Sequence, residues 1–181
     1  MSEFTFYCPT RIHFGESSLD RLMETVAAEK YKCVALVVDH NLISHPLTAS
    51  LQQKLSQQAA LVTQPVSVAE PTYTFLDSFR ESFMDRGIDA VIGLGGGSAL
   101  DTAKAVAVLI TNREPALTYR GFDKMTQPVL PIYAVPTTAG TGSEVTIAAV
   151  VSDPETHSKA AVIDPRLVPT AAALDPTLMT G

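Results

Sequence analysis

The sequence predicts an α/β domain, a mostly parallel sheet flanked by helices, with a β-hairpin added late in the chain. Three observations carry this reading. Short β-rich runs alternate with longer helical runs as far as Val135, the pattern of a parallel sheet built through helical crossovers. Cys33 to Val38 is apolar without alternation, which suits a parallel strand buried on both faces. Two further β-rich runs flank Asp153-Pro154-Glu155-Thr156, a turn sequence that makes them the arms of a hairpin.

Each element has its own signal. Thr5 to Tyr7 and Arg11 to Phe14 are expected as short strands. Ser17-Ser18 is placed to cap a helix running to about Lys30, with Leu19, Leu22, Met23 and Val26 on one face. The strand from Cys33 ends at Asp39. Leu47 to Ala59 reads as a helix, since Leu47, Leu51 and Leu55 recur every fourth residue. Leu61 to Val68 is a weaker strand. Pro71-Thr72 opens a helix expected to reach Arg86, with Gly87 at its C′ position. Ala90 to Ile92 is a strand, followed by Gly93-Leu94-Gly95-Gly96-Gly97 and a helix from about Ser98 to Thr111. Val129 to Val135 is a strand in which Pro131 marks a start or an edge. Pro136 to Ser143 is a second Gly/Thr-rich loop. Val145 to Val151 and Lys159 to Ile163 are the hairpin arms, and Ala171 to Leu174 is a last short strand.

Composition narrows the function classes. The chain has 181 residues, of which 46% are hydrophobic, enough for one domain with a real core. Charged residues are only 18%, against about 25% in an average domain. That suits a sheet covered on both faces, or an apolar surface meant for something outside the chain. The net charge is −6 and the 13 Lys and Arg are scattered, so neither nucleic acid nor an anionic membrane is an expected partner. The longest apolar runs, such as Ala105 to Ile110, fall far short of the ~20 residues of a membrane span. Met1-Ser2-Glu3-Phe4 has no basic or apolar leader pattern. Cys8 and Cys33 form neither a disulfide framework nor a zinc cluster. They read as reduced thiols, and a cytoplasmic location is expected.

Two loops can carry chemistry. Gly93-Leu94-Gly95-Gly96-Gly97-Ser98 sits between a strand and a helix. Such glycines allow positive φ and let backbone approach a ligand closely, and the free N–H groups of the helix start form an anion site. Ser98 with Asp101 resembles a capping box. The motif is not the dinucleotide fingerprint, because Ser98 occupies its third glycine position, and it is neither a P-loop nor a nucleophile elbow. The bland alternative is a tight turn into a capped helix. Pro136 to Glu144 offers Thr137, Thr138, Thr141 and Ser143 hydroxyls, although a solvated loop has the same composition. Two such loops at the ends of parallel strands point to one sheet edge and make a nucleotide crevice the better reading. Asp39 ends a third strand. It can accept ribose hydroxyls and favour NAD over NADP, or simply start a βα turn. Metal candidates are poor: His157 follows Asp153 by four, but Pro154 in a turn separates them.

Gly95-Gly96-Gly97-Ser98-Ala99-Leu100-Asp101-Thr102-Ala103-Lys104 and Pro136 to Thr146 resemble the two signature stretches of the iron-containing (group III) alcohol dehydrogenases. Arg11 to Gly15, Asp164-Pro165, Pro169 and Leu174-Asp175-Pro176 resemble further landmarks in order, so the likeness covers essentially the whole chain. The resemblance implies a Rossmann-like NAD(P)-binding domain over 1–181. It belongs to a two-domain enzyme that interconverts small alcohols and aldehydes, and a homo-oligomer is compatible with it. Gly95, Gly96, Gly97 and Ser98 would hold the pyrophosphate of NAD, with Asp101 nearby. Thr137, Thr138 and Thr141 would line the cofactor, Val150 would pack near the nicotinamide, and Lys159 would reach the ribose. Asp39 would bind the adenosine ribose. No catalytic residue is assigned. Glu70 stands where the family often has Asn before the proline that Pro71 matches. The family's Fe2+ or Zn2+ is held by one Asp and three His in a helical C-terminal domain, and none of these four has a counterpart before Gly181. The 181 residues are therefore expected to be an isolated or truncated nucleotide-binding half with little or no dehydrogenase activity. Alternatives are a glycerol-dehydrogenase-like or dehydroquinate-synthase-like enzyme fragment, or a non-catalytic nucleotide-binding module.

Overall fold

The alternation of strand and helix is the order in which the chain folds. The computed structural model describes residues 3, 7–67, 70–153 and 158–179. Its elements are β1 (Arg11–Phe14), α1 (Ser18–Ala28), β2 (Cys33–Asp39), α2 (Pro46–Ser56), β3 (Ala60–Val66), α3 (Tyr73–Arg80), β4 (Ala90–Gly95) and α4 (Gly97–Leu109). They continue through β5 (Gly121–Phe122), β6 (Ile132–Pro136), β7 (Ala148–Asp153), β8 (Ser158–Ile163) and β9 (Ala171–Leu174).

Among the described residues, six strands form one sheet in the order β1-β9-β6-β4-β2-β3. Every neighbouring pair in it is parallel. The chain moves outward from β2 to β3, then returns to β4 on the other side of β2. The order of winding therefore reverses between β2 and β4, where an open α/β sheet leaves a crevice beyond its strand ends. The expected hairpin forms as antiparallel β7 and β8, and β5 joins β8 to make a separate three-stranded sheet.

The unbroken apolar run of β2 now has its cause. Cys33, Ala35 and Val37 enter a core with Leu76 of α3 and Ala103 to Leu109 of α4, except Lys104. Val34, Leu36 and Val38 enter the opposite core with Leu22 of α1 and Leu51 and Leu55 of α2. Adjacent side chains point to opposite faces, so both sets must be apolar. Ala149 and Val151 of β7 and Val162 of β8 complete the α4 side. No described helix is long and apolar enough to cross a membrane.

Several expected boundaries shift for local reasons. α3 stops at Arg80 rather than Arg86. The chain then tightens into i→i+3 bonds, Ser82 to Phe79 and Phe83 to Arg80, which carry Phe83 fully into the core. Gly87 has φ +69 but closes this turn instead of the helix. Ser17 occupies the N-cap of α1 without a side-chain bond. The Ser98–Asp101 capping box does not form, because Gly96 is the N-cap of α4 and Asp101 points inward to other partners. β6 starts at Ile132. Pro131 precedes it and only has to accept, from Val91 N–H at 2.9 Å. β7 starts at Ala148 rather than Val145, because the carbonyls of Thr146 and Ala148 bond to Lys104. Tyr7 belongs to no regular element. The expected strand residues Thr5, Phe6 and Val68, the turn residues 154–156 and His157 lie outside the described residues.

Leu36 is fully buried in the two-sided sheet. Leu36→Ala is expected to cost about 2–5 kcal/mol of folding stability, read as a lower urea midpoint with an unchanged slope.

Candidate functional site

Three strand ends meet at one edge of the large sheet. β2 ends at Asp39, β4 at Gly95 and β6 at Pro136, with Gly95 paired to Pro136. Gly95 has φ +142, and a Cβ there would stand 2.7 Å from Asp39 Cβ and 2.9 Å from Ala99 Cβ. Only glycine lets the loop pass so close in that conformation. The two loops run against each other. Thr137 N–H donates to the Gly95 carbonyl at 3.0 Å. A Cβ on Gly96 would lie 3.2 Å from Thr138 Oγ1, and one on Gly97 would lie 3.3 Å from Thr141 Cβ.

The N-cap Gly96 supplies no side chain to the first turn of α4. Leading backbone N–H groups and the positive end of the helix dipole are therefore presented at this edge. A cavity of about 250 Å³ opens beside them. Six of the expected residues line it: Gly97, Ser98, Asp101, Thr141, Val150 and Lys159. Gly95, Gly96, Thr137 and Thr138 form the paired loops beside it. Asp39 stands behind Gly95, outside the cavity lining. Its Oδ1 accepts from the Asn41 backbone N–H at 2.9 Å and from the Asn41 amide at 3.1 Å. Asp39 thus caps a short 3-10 turn, His40–Leu42, so its turn-starting role is realised.

Two buried charges of α4 hold the second loop. Asp101 is 7% exposed and Lys104 is 1% exposed. Asp101 Oδ1 accepts from Ser143 Oγ at 2.7 Å, and Oδ2 accepts from Val150 N–H at 3.1 Å. Lys104 Nζ donates to the Thr146 carbonyl at 2.9 Å, Thr146 Oγ1 at 3.1 Å and the Ala148 carbonyl at 2.9 Å. Together they staple residues 143–150 to the helix. Burial pushes the Asp101 carboxyl up, while the bonds from Ser143 and Val150 and the charge of Lys104 pull it down. Burial also pulls the Lys104 ammonium down to about 8, against the opposing charges of Asp101 and Glu144. Buried polar groups are kept only when bonded, and both are bonded to the same loop.

Lys159 pairs with Glu70, whose other oxygen accepts from Ser152 Oγ at 2.7 Å. Glu70 and Ser152 line the cavity but are not among the binding residues expected from the sequence, and neither is the Lys104 staple; Ser143, one of the loop hydroxyls read from the sequence, lines it too. The signal for Lys104 was present: it stands three residues after Asp101 in a helix otherwise made of apolar and small residues. For Ser152 no local signal exists, and for Glu70 the sequence shows only that it replaces the family's frequent Asn, since their meeting depends on where β7 lies.

Fold and crevice define a Rossmann-like α/β domain whose glycine loop opens at the switch point of the sheet. The chain belongs to the iron-containing alcohol dehydrogenase family, whose profile matches residues 9–176. It is 35% identical to the probable alcohol dehydrogenase EutG of Escherichia coli over 150 residues, 82% of this chain and 38% of that protein. It is 33% identical to the lactaldehyde reductase of the same species over 149 residues, 81% of this chain and 39% of that one. Among solved structures, 1,3-propanediol oxidoreductase superposes with a TM-score of 0.89 at 28% identity, over 99% of this chain and 47% of that chain. Sulfoacetaldehyde reductase from Bifidobacterium kashiwanohense, solved in complex with NAD+, gives 0.83 at 27% identity, over 99% of this chain and 48% of that one. The chain thus spans less than half the length of these relatives.

The lowered Lys104 value has a pH consequence with a definite sign. Between pH 8 and 10.5 the unfolded chain keeps a proton on Lys104 that the folded chain has lost, so stability rises with pH across that window. Relative to Lys104→Met, which does not titrate there, the native chain is expected to gain stability from pH 8 to 10.5, checked by urea titrations at both limits. A constant difference would show that burial does not shift this lysine.

Proposed function

We propose that the crevice binds a nicotinamide dinucleotide, with NAD preferred over NADP. In this reading residues 1–181 serve as the NAD(P)-binding domain of a cytoplasmic, metal-dependent enzyme that interconverts a small alcohol and its aldehyde. One observation carries the reading: the Gly95–Gly97 loop, the uncapped start of α4 and Asp39 converge where the winding of the sheet reverses. Small aldehydes are named by two of the similar proteins, lactaldehyde reductase and sulfoacetaldehyde reductase. The NAD+ complex of the latter supports the cofactor, and the two free cysteines suit a reducing compartment.

The residues present fit a dinucleotide. The backbone N–H groups at Gly96, Gly97 and Ser98 are suited to donate to the pyrophosphate, where the helix dipole also favours negative charge. Gly95, with no Cβ to strike Asp39 and Ala99, lets the loop carry this backbone to the sheet edge. Thr137, Thr138 and Thr141 supply hydroxyls from the facing loop. Val150, 42% exposed, offers an apolar wall for a nicotinamide ring. Asp101 acts mainly by fixing Ser143 and Val150. Asp39 accepts from the adenosine ribose and repels a 2′-phosphate. NAD, when bound, supplies the hydride chemistry, and the protein supplies binding, orientation and electrostatics. The divalent ion is a different case. Among the described residues no three His, Cys, Asp or Glu come together to hold a metal, and no step is assigned to one here.

Calorimetry with NADH and NADPH tests the reading. NADH is expected to bind more tightly, and Asp39→Gly should narrow the gap while leaving circular dichroism unchanged. Equal affinities before and after the substitution would refute the role of Asp39, and an absence of NADH binding would refute the reading itself.

A further inference from the structure

The cavity beside α4 carries a charge pair at its mouth. Ser152 of β7 and Lys159 of β8 lie directly opposite each other in the hairpin register. The segment before α3 is fastened across them. Ser152 N–H donates to the Pro71 carbonyl at 2.8 Å, and Thr72 forms a parallel bridge with Ser152. Glu70 is thereby set over the hairpin, with one carboxylate oxygen on Ser152 Oγ and the other on Lys159 Nζ. The same cavity is lined by Gly97 and Ser98 at the start of α4.

An exposed ion pair contributes little to folding, and both side chains here are exposed, at 50% for Glu70 and 67% for Lys159. Location gives the pair its consequence. Hydrogen bonds from Lys159 and then from Ser152 hold the Glu70 carboxyl below the usual range, so it is ionised at neutral pH. A negative charge therefore stands in a cavity whose other wall is built for an anion. Among the described residues, the one cation that lines the cavity, Lys159, is already paired with it. An incoming dinucleotide meets a carboxylate that repels its diphosphate and an ammonium that must change partner.

We propose that Glu70 is an affinity-setting latch on the crevice: it holds Lys159 until a bound dinucleotide competes for the same ammonium. This rests on the dinucleotide reading above and adds a specificity-determining residue to it. The latch weakens binding of every diphosphate ligand and makes cofactor affinity depend on ionic strength, since exposed charges are screened over about 8 Å at physiological salt and about 30 Å at 0.01 M.

A double-mutant cycle read by NADH calorimetry tests it. Glu70→Gln keeps an acceptor for Ser152 and removes the charge. It is expected to bind NADH about three- to tenfold more tightly at low salt, with the gain shrinking as salt is added. Lys159→Met should cost more affinity in the Glu70→Gln background than in the native chain, because only there does the ammonium reach the ligand without first breaking its pair with a carboxylate. Charges that acted independently would give the same cost in both backgrounds, which would overturn the latch. Unchanged or weaker binding by Glu70→Gln would overturn it as well. If neither the native chain nor any folded variant binds NADH, the dinucleotide reading fails and the latch fails with it.

Discussion

Burial of α4 on every side is the constraint on which the rest depends. One side of the helix packs on the six-stranded sheet, and the other is covered by the hairpin sheet, so residues 99 to 109 are all buried. A helix in that position has no solvated face and must be apolar nearly all round. Its approach to the sheet is set by Gly93, where a Cβ would come within 2.9 Å of Ala103 Cβ. A side chain at that point would lift the helix from β4 and move its N-terminus away from the three strand ends.

The polar groups of α4 follow from the same burial. A carboxylate and an ammonium cannot remain in that core without partners. Asp101 and Lys104 find theirs in backbone N–H and carbonyl groups and hydroxyls of residues 143–150. The irregular path of the second loop is thus tied to the helix whose start it faces. Charges at the cavity mouth obey a different balance. Glu70 and Lys159 sit in water, where their pairing adds little to folding and is easily exchanged. Interior charges position the loop, whereas the exterior pair stands at the mouth of the cavity.

Much of this was legible in the sequence. The apolar run of β2 announced burial on both faces, and the glycine loop between strand and helix announced the crevice. β1 and β9 fall where their short runs placed them. Ends were harder to read where a tertiary bond competed with a local one. α3 shortens because Phe83 must enter the core. The Ser98–Asp101 capping box is lost because Asp101 has better partners in Ser143 and Val150. The late start of β7 has the same origin, in carbonyls drawn to Lys104.

By itself the sequence determined the α/β class, the two-sided sheet, the paired loops and the family, because each depends on periodicity or on contiguous motifs. Only the tertiary structure decided that Asp101 and Lys104 are staples, that Asp39 stands beside Gly95, and that Glu70 meets Lys159 across Ser152. Those relations join residues far apart in the chain. They arise from strand order and hairpin register, which no local pattern of side chains encodes.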